Sequence, residues 1–199
     1  HTQIYIVKNI GDYELLGETV DDAVGESFDK VAKLLGLGYP GGPLIEKIAK
    51  KGNTNAFDLP HPMQFKKSLN FSFSGIKTAV NLLTKKHTHI TEKIKNDIAA
   101  SFQNKIIEII NKRITLALEM LKKKGYDIKD ITIVGGVAAN KKMIQAFLNL
   151  SKNYNCRLTT PLIKLCGDNA AMIAWTCHQR QKIGIKPDLS FKVDPRLKL

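Results

Sequence analysis

Ile131-Thr132-Ile133-Val134-Gly135-Gly136-Val137-Ala138-Ala139-Asn140 is the stretch on which the fold turns. A short apolar run stops at two glycines, and a helical pattern starts near Ala138. That is a strand, a tight turn and a helix. Glycine carries no Cβ, so a ligand can come close to the backbone at such a turn. The unpaired N–H groups and partial positive charge of a helix start suit a phosphate. The ten residues read as one wall of a nucleotide pocket; the competing reading is a tight turn with no ligand.

Similar units extend outward in both directions. Thr2 to Val7 and Tyr13 to Glu18 read as strands about an Asn9-Ile10-Gly11-Asp12 turn. Asp21 or Asp22 is placed to cap a helix to about Leu35, with Phe28, Val31, Ala32 and Leu35 on its inner face. Tyr39-Pro40-Gly41-Gly42-Pro43 opens another helix, with Pro43 at its first position, where no N–H is needed. Phe71-Ser72-Phe73-Ser74-Gly75 is an extended piece entering a helix from Ile76 to about Lys85. Thr91 caps a long helix to Lys124, whose face of Ile94, Ile98, Phe102, Ile106, Ile110 and Leu118 is expected to pack on the sheet. Gly125 ends it. After the Ile131 to Val134 strand come a helix to about Asn149, a strand Arg157 to Thr160, a helix opened by Asp168 and running to about Gln181, and an extended tail. The class is α/β, with ligand groups gathered where strands give way to helices, at Gly41-Gly42, Gly135-Gly136 and Gly167-Asp168.

The 199 residues, 43% of them hydrophobic, suffice for one ordinary core or two small lobes. No apolar run approaches the length of a membrane span. Three cysteines, Cys156, Cys166 and Cys177, show no C-x-x-C spacing, so neither a disulfide framework nor a zinc site follows, and a reducing cytoplasm is expected. The net charge of +13 has two readings. One is an RNA partner held through phosphate contacts. The other is a lysine-rich composition with no ligand behind it, since only Arg113, Arg157, Arg180 and Arg196 are arginines. The apolar run at Ile4 starts almost at once after His1, which reads as a piece of something longer.

Four residues stand out for chemistry. Asp168, at a helix start, is either an N-cap or a carboxylate ligand for a hard divalent ion. Asp29 lies one turn beyond Glu26 and can accept hydrogen bonds from ribose hydroxyls, or belong to a solvated acidic face paired with Lys30 or Lys33. Gly42 lets a ring or ribose approach, or merely makes the turn. Asn140 can donate to and accept from a ligand, or cap the helix that follows it. His87-Thr88-His89 lies in a lysine-rich loop and reads as surface, and Ser72 and Ser74 have no nearby histidine to make a hydrolase.

Taken together, several segments resemble one family. They are His1-Thr2-Gln3, Glu14 to Ala23, Gly25-Glu26-Ser27-Phe28-Asp29-Lys30, Tyr39-Pro40-Gly41-Gly42-Pro43, Phe71-Ser72-Phe73-Ser74-Gly75-Ile76-Lys77-Thr78, Gly135 to Asn140 and Cys166 to Ala174. They are similar, in order, to the tRNA N6-adenosine threonylcarbamoyltransferase family, once described as O-sialoglycoprotein endopeptidases. The resemblance implies the second lobe of an actin-like ATPase (ribonuclease H-like) fold. Residues 1–185 would form that lobe, with an inserted helical region at about 43–125 and a tail over 186–199. It implies transfer of a threonylcarbamoyl group from threonylcarbamoyl-AMP to N6 of adenosine 37 in tRNAs reading codons that begin with A. By motif match, Asp29, Gly42 and Asn140 contact the adenylate and Asp168 ligates Fe(2+), shared with histidines of an N-terminal lobe absent from this sequence. The family implies a paralogous actin-fold subunit and a small P-loop ATPase as further partners. Gly167 stands where the family has a threonine. The alternatives are a nucleotide- or RNA-binding fragment without turnover and a decayed remnant of a split gene.

Overall fold

The computed structural model describes residues 1–185 and residue 190; the rest of the expected tail lies outside the described residues. Strands β1 (Gln3–Asn9) and β2 (Asp12–Glu18) form an antiparallel hairpin through the expected turn. Helix α1 (Val24–Leu34) follows, and neither expected aspartate caps it. Ala23 holds the N-cap position, and the Thr2 hydroxyl accepts the Val24 N–H at 2.9 Å. The hairpin brings that threonine to the helix start, which sequence spacing could not reveal. Asp22 instead pairs with Lys30 at 2.7 Å.

Helix α2 (Gly41–Ala49) follows α1 directly, so the Gly41-Gly42 turn joins two helices, not a strand to a helix. Pro43 is its third residue, still in the first turn, where an N–H has no helical partner. Helix α3 (Ser74–Lys86) starts two residues earlier than expected. A parallel bridge between Thr19 and Phe71 carries Asp21 to its start. There the Asp21 carboxylate accepts the Phe73 and Ser74 N–H groups and both the Ser72 and Ser74 hydroxyls.

Helix α4 (Glu92–Lys123), 32 residues long and capped by Thr91 as expected, is the spine of the molecule. Ile98, Phe102, Ile106 and Ile109 are fully buried along it. Each such side chain contributes about 1.5–3 kcal/mol by leaving water. The expectation that this face packs on a sheet fails, because α4 lies mainly against α2 and α5. Among the described residues both sheets are only two strands wide, too narrow to cover a helix of this length. Helix α1 joins the same core through Phe28, edge-on to Phe102 at a centroid distance of 5.0 Å. A Cβ on Gly52 would stand 2.0 Å from the Asn96 carbonyl oxygen, so the chain leaving α2 touches the α4 backbone directly.

The remaining elements are β3 (Asp130–Thr132), a 3-10 turn (Gly136–Ala139), α5 (Lys141–Asn153), β4 (Arg157–Thr159) and α6 (Ala170–Lys182). Strands β3 and β4 pair in parallel about α5, making the unit read from the opening stretch. The three cysteines are unpaired, with Cys166 buried. The whole is a mixed α/β molecule, as expected. Among the described residues no helix is long and apolar enough to cross a membrane.

Candidate functional site

Asp29 lies on α1 beside the turn into α2. Its Oδ1 accepts the Gly41 N–H at 2.7 Å, and its Oδ2 has no protein partner among the described residues. A Cβ on Gly41 would stand 2.6 Å from the Asp29 Cα and 2.7 Å from the Phe28 carbonyl oxygen, so packing alone demands glycine there. Gly42 is different. A Cβ on it would meet no atom within 4 Å. Among the described residues no contact accounts for the glycine, and its bare backbone adjoins a carboxylate oxygen that is free to accept.

The second glycine turn has the same character. Gly135 sits at φ +87°, which an L side chain resists. Among the described residues no atom lies within 4 Å of a Cβ built on Gly135 or Gly136. The chain then enters the 3-10 turn and α5. Asn140 is buried, its Oδ1 accepting the Met143 N–H at 2.9 Å and its Nδ2 donating to Gln103 Oε1 at 2.8 Å. The cap expected of Asn140 is therefore present. What its amide retains toward a ligand is one N–H hydrogen and one lone pair. Gln103 holds the cap in place from α4, a role with no local signal in the sequence.

Two contacts tie these turns together. The Lys141 N–H donates to Glu46 Oε1 at 3.1 Å, joining the start of α5 to α2. A Cβ on Gly25 would lie 3.8 Å from Val137 Cγ2, joining the start of α1 to the 3-10 turn. Asp29, Gly42 and Asn140 thus stand on neighbouring, directly bonded elements. Glu26 is an ion-pair partner, bound to Lys30 at 2.7 Å. A shallow cleft of about 310 Å³, lined in part by Glu46, Gln103, Lys141 and Lys142, contains none of the four predicted residues.

Asp168 stands apart. It is exposed and makes no hydrogen bond within the described residues. It does not cap the last helix as one reading expected: Asn169 does, accepting the Met172 N–H at 3.0 Å. Helix α6 buries none of its residues, and hydrogen bonds of 162–185 among the described residues close within 161–185.

Residues 1–175 match the model of the tRNA N6-adenosine threonylcarbamoyltransferase family. The proteins of that name from Thermosipho africanus and Pelagibacter ubique are each 46% identical to the chain, over 100% and 98% of its length. That from Rhizobium etli is 43% identical over 98% of it. The chain belongs to this family. It spans only 58%, 55% and 54% of those three threonylcarbamoyltransferases. Among the described residues no three His, Cys, Asp or Glu side chains come together. Asp168 is one carboxylate, and these residues alone do not make a metal centre.

Asp21, expected as a cap for α1, serves the start of α3 instead. Burial pushes its carboxyl up, but the Ser72 hydroxyl, the Phe73 N–H and the Ser74 hydroxyl and N–H outweigh it and hold it below the usual aspartate range. It fastens the Glu14-to-Ala23 segment to the Phe71-to-Thr78 segment, a link visible only through space.

Proposed function

We propose that this chain is one wall of the adenylate cleft of a tRNA N6-adenosine threonylcarbamoyltransferase, the second lobe of an actin-like ATPase fold. The part of the relatives that the chain does not span supplies the opposite wall. The observation that carries this reading is the pairing at α2. Gly41 is demanded by packing, while Gly42 is bare toward open space beside the free oxygen of Asp29. A ribose hydroxyl donating to that oxygen would bring the sugar against the Gly42 backbone. The Gly135-Gly136 turn, leading into α5, is open to the phosphate.

The chemistry needs little more than placement. The N6 amine of a tRNA adenosine attacks the carbamoyl carbonyl carbon of threonylcarbamoyl-AMP. The bond from that carbon to the phosphate oxygen breaks, AMP leaves with the electron pair, and the amine loses a proton. The anhydride already carries a good leaving group, so holding the adenylate while the amine is oriented is the main contribution of these residues. Asp168, exposed and unpartnered, is free to give one carboxylate to an iron ion whose other ligands lie outside this chain. A paralogous subunit and a P-loop ATPase would complete the machinery. With one carboxylate, Asp168, to offer an ion, the chain by itself is expected to bind adenylate and to transfer nothing.

Titration of the purified chain with threonylcarbamoyl-AMP tests the cleft. Binding is expected, weakened at least tenfold in Gly42→Val and Asp29→Ala while thermal unfolding of Gly42→Val stays unchanged. Equal affinity in wild type and both variants overturns the reading. Label transfer to tRNA is expected only when the unspanned part of a relative is added.

A further inference from the structure

Arg113 is wholly buried in the middle of α4. It has no carboxylate partner among the described residues. Its guanidinium donates to the Met63, Lys66 and Ser68 carbonyl oxygens. Three carbonyls of one loop are thus fixed from beneath by one rigid fork of donors. The loop is further set by the Lys66 N–H donating to the Met63 carbonyl at 3.0 Å and by Met63 at φ +57°. On its outer side Gln64, Phe65, Lys66 and Lys67 are all exposed, and Phe65 is 93% exposed. An aromatic ring presented so fully to water, on a loop clamped by a buried cation, has no packing explanation within the described residues.

Cations gather at the base of the loop, where Lys105 is paired with Glu108 at 3.1 Å. His61, at the base of the loop, is held below the usual histidine range first by burial and then by the nearby Lys112, Lys105 and Arg113, with Glu108 opposing. An exposed aromatic ring followed directly by two exposed lysines is a combination that binds single-stranded RNA: the ring stacks on an unpaired base and the lysines meet adjacent phosphates. An acidic protein surface would match the lysines but not the bare ring, while a hydrophobic one would match the ring but not the lysines.

We propose that the Gln64–Lys67 loop is an RNA contact, in which Phe65 stacks on an unpaired base of the tRNA and Lys66 and Lys67 bind the flanking phosphates. This rests on the transferase reading for the identity of the RNA, and names the place where the chain holds it.

The test is fluorescence anisotropy of a labelled tRNA anticodon stem–loop titrated with the 199-residue chain over a series of salt concentrations. Phe65→Ala is expected to weaken binding about tenfold, the order of one base stacked on one ring, while Phe65→Trp retains it. The Lys66→Ala/Lys67→Ala double variant is expected to lower the log–log salt slope by about 1.4, two single-strand phosphate contacts. Equal affinity of wild type and Phe65→Ala, or no binding by wild type, overturns the proposal. So does a Phe65→Ala variant that binds RNA normally but loses a protein subunit. Threonylcarbamoyl-AMP titrations of the same proteins separate the two readings: RNA binding that depends on Phe65 stands even where adenylate binding is absent.

Discussion

Gly42 and Gly52 are both glycines in the α2 region, and only one of them is explained by the molecule itself. A Cβ at Gly52 runs into the α4 backbone, which cannot give way. Gly52→Ala is expected to destabilise by about 2–3 kcal/mol in urea unfolding, since overpacking against backbone forces a shift. Gly42→Ala is expected to change stability by no more than about 0.5 kcal/mol, as an open surface position does. An equal loss in both variants contradicts the assignment of Gly42 to a ligand. Asp21 carries a pH dependence whose sign is fixed. Its folded pKa lies below the unfolded value, so its contribution is complete above about pH 4 and is lost as pH falls through the folded pKa. Asp21→Asn is expected to cost about 1–2 kcal/mol at pH 7, discounted for solvent, and the gap to wild type should be smaller at pH 3. Guanidinium unfolding at the two pH values checks both points.

At the scale of elements, the helix starts show how far local spacing reaches. Thr91 and Asn140 cap the helices expected of them, because each acts on an N–H three residues ahead. The start of α1 is served by Thr2 and that of α3 by Asp21, from distant parts of the chain. No reading of spacing along α1 or α3 contains those partners. Helix α6 separates two adjacent residues with different jobs. Asn169→Ala is expected to cost the helix about 1 kcal/mol of cap and to lower circular-dichroism helicity, because 13 residues without packed neighbours are marginal on their own. Asp168→Ala should leave helicity unchanged. Loss of helicity in Asp168→Ala and not in Asn169→Ala would return Asp168 to the cap.

The whole molecule is uneven in its burial. The core around α4 is closed, whereas Leu162, Ile163, Ile173 and Trp175 are each more than 60% exposed at the α6 end. An apolar surface of this kind marks a binding face. We propose that these side chains face the part of the relatives that this chain does not span. Trp175 is the single tryptophan, so its fluorescence reports this face alone. Emission typical of indole in water, freely quenched by iodide, is expected for the isolated chain. A blue shift with protection from iodide is expected when the unspanned part of a relative is added. Emission already blue in the chain by itself contradicts the assignment.

From residues alone came the β3–α5–β4 unit, the long α4 with its Thr91 cap, the hairpin, and the candidacy of Asp29, Gly42, Asn140 and Asp168. All of these rest on short-range periodicity, on turn chemistry or on motifs read in order along the chain. Through-space contact decided the rest. It showed that α4 is wrapped by helices and not by a sheet, that Gly41 is packing and Gly42 is not, and that Asn140 is engaged by Gln103. It also showed that Asp168 is left free by its neighbour, and that a buried arginine fixes the loop that carries Phe65. Each of those outcomes depends on which atoms from remote segments occupy the same few ångströms, and one-dimensional order carries no record of that.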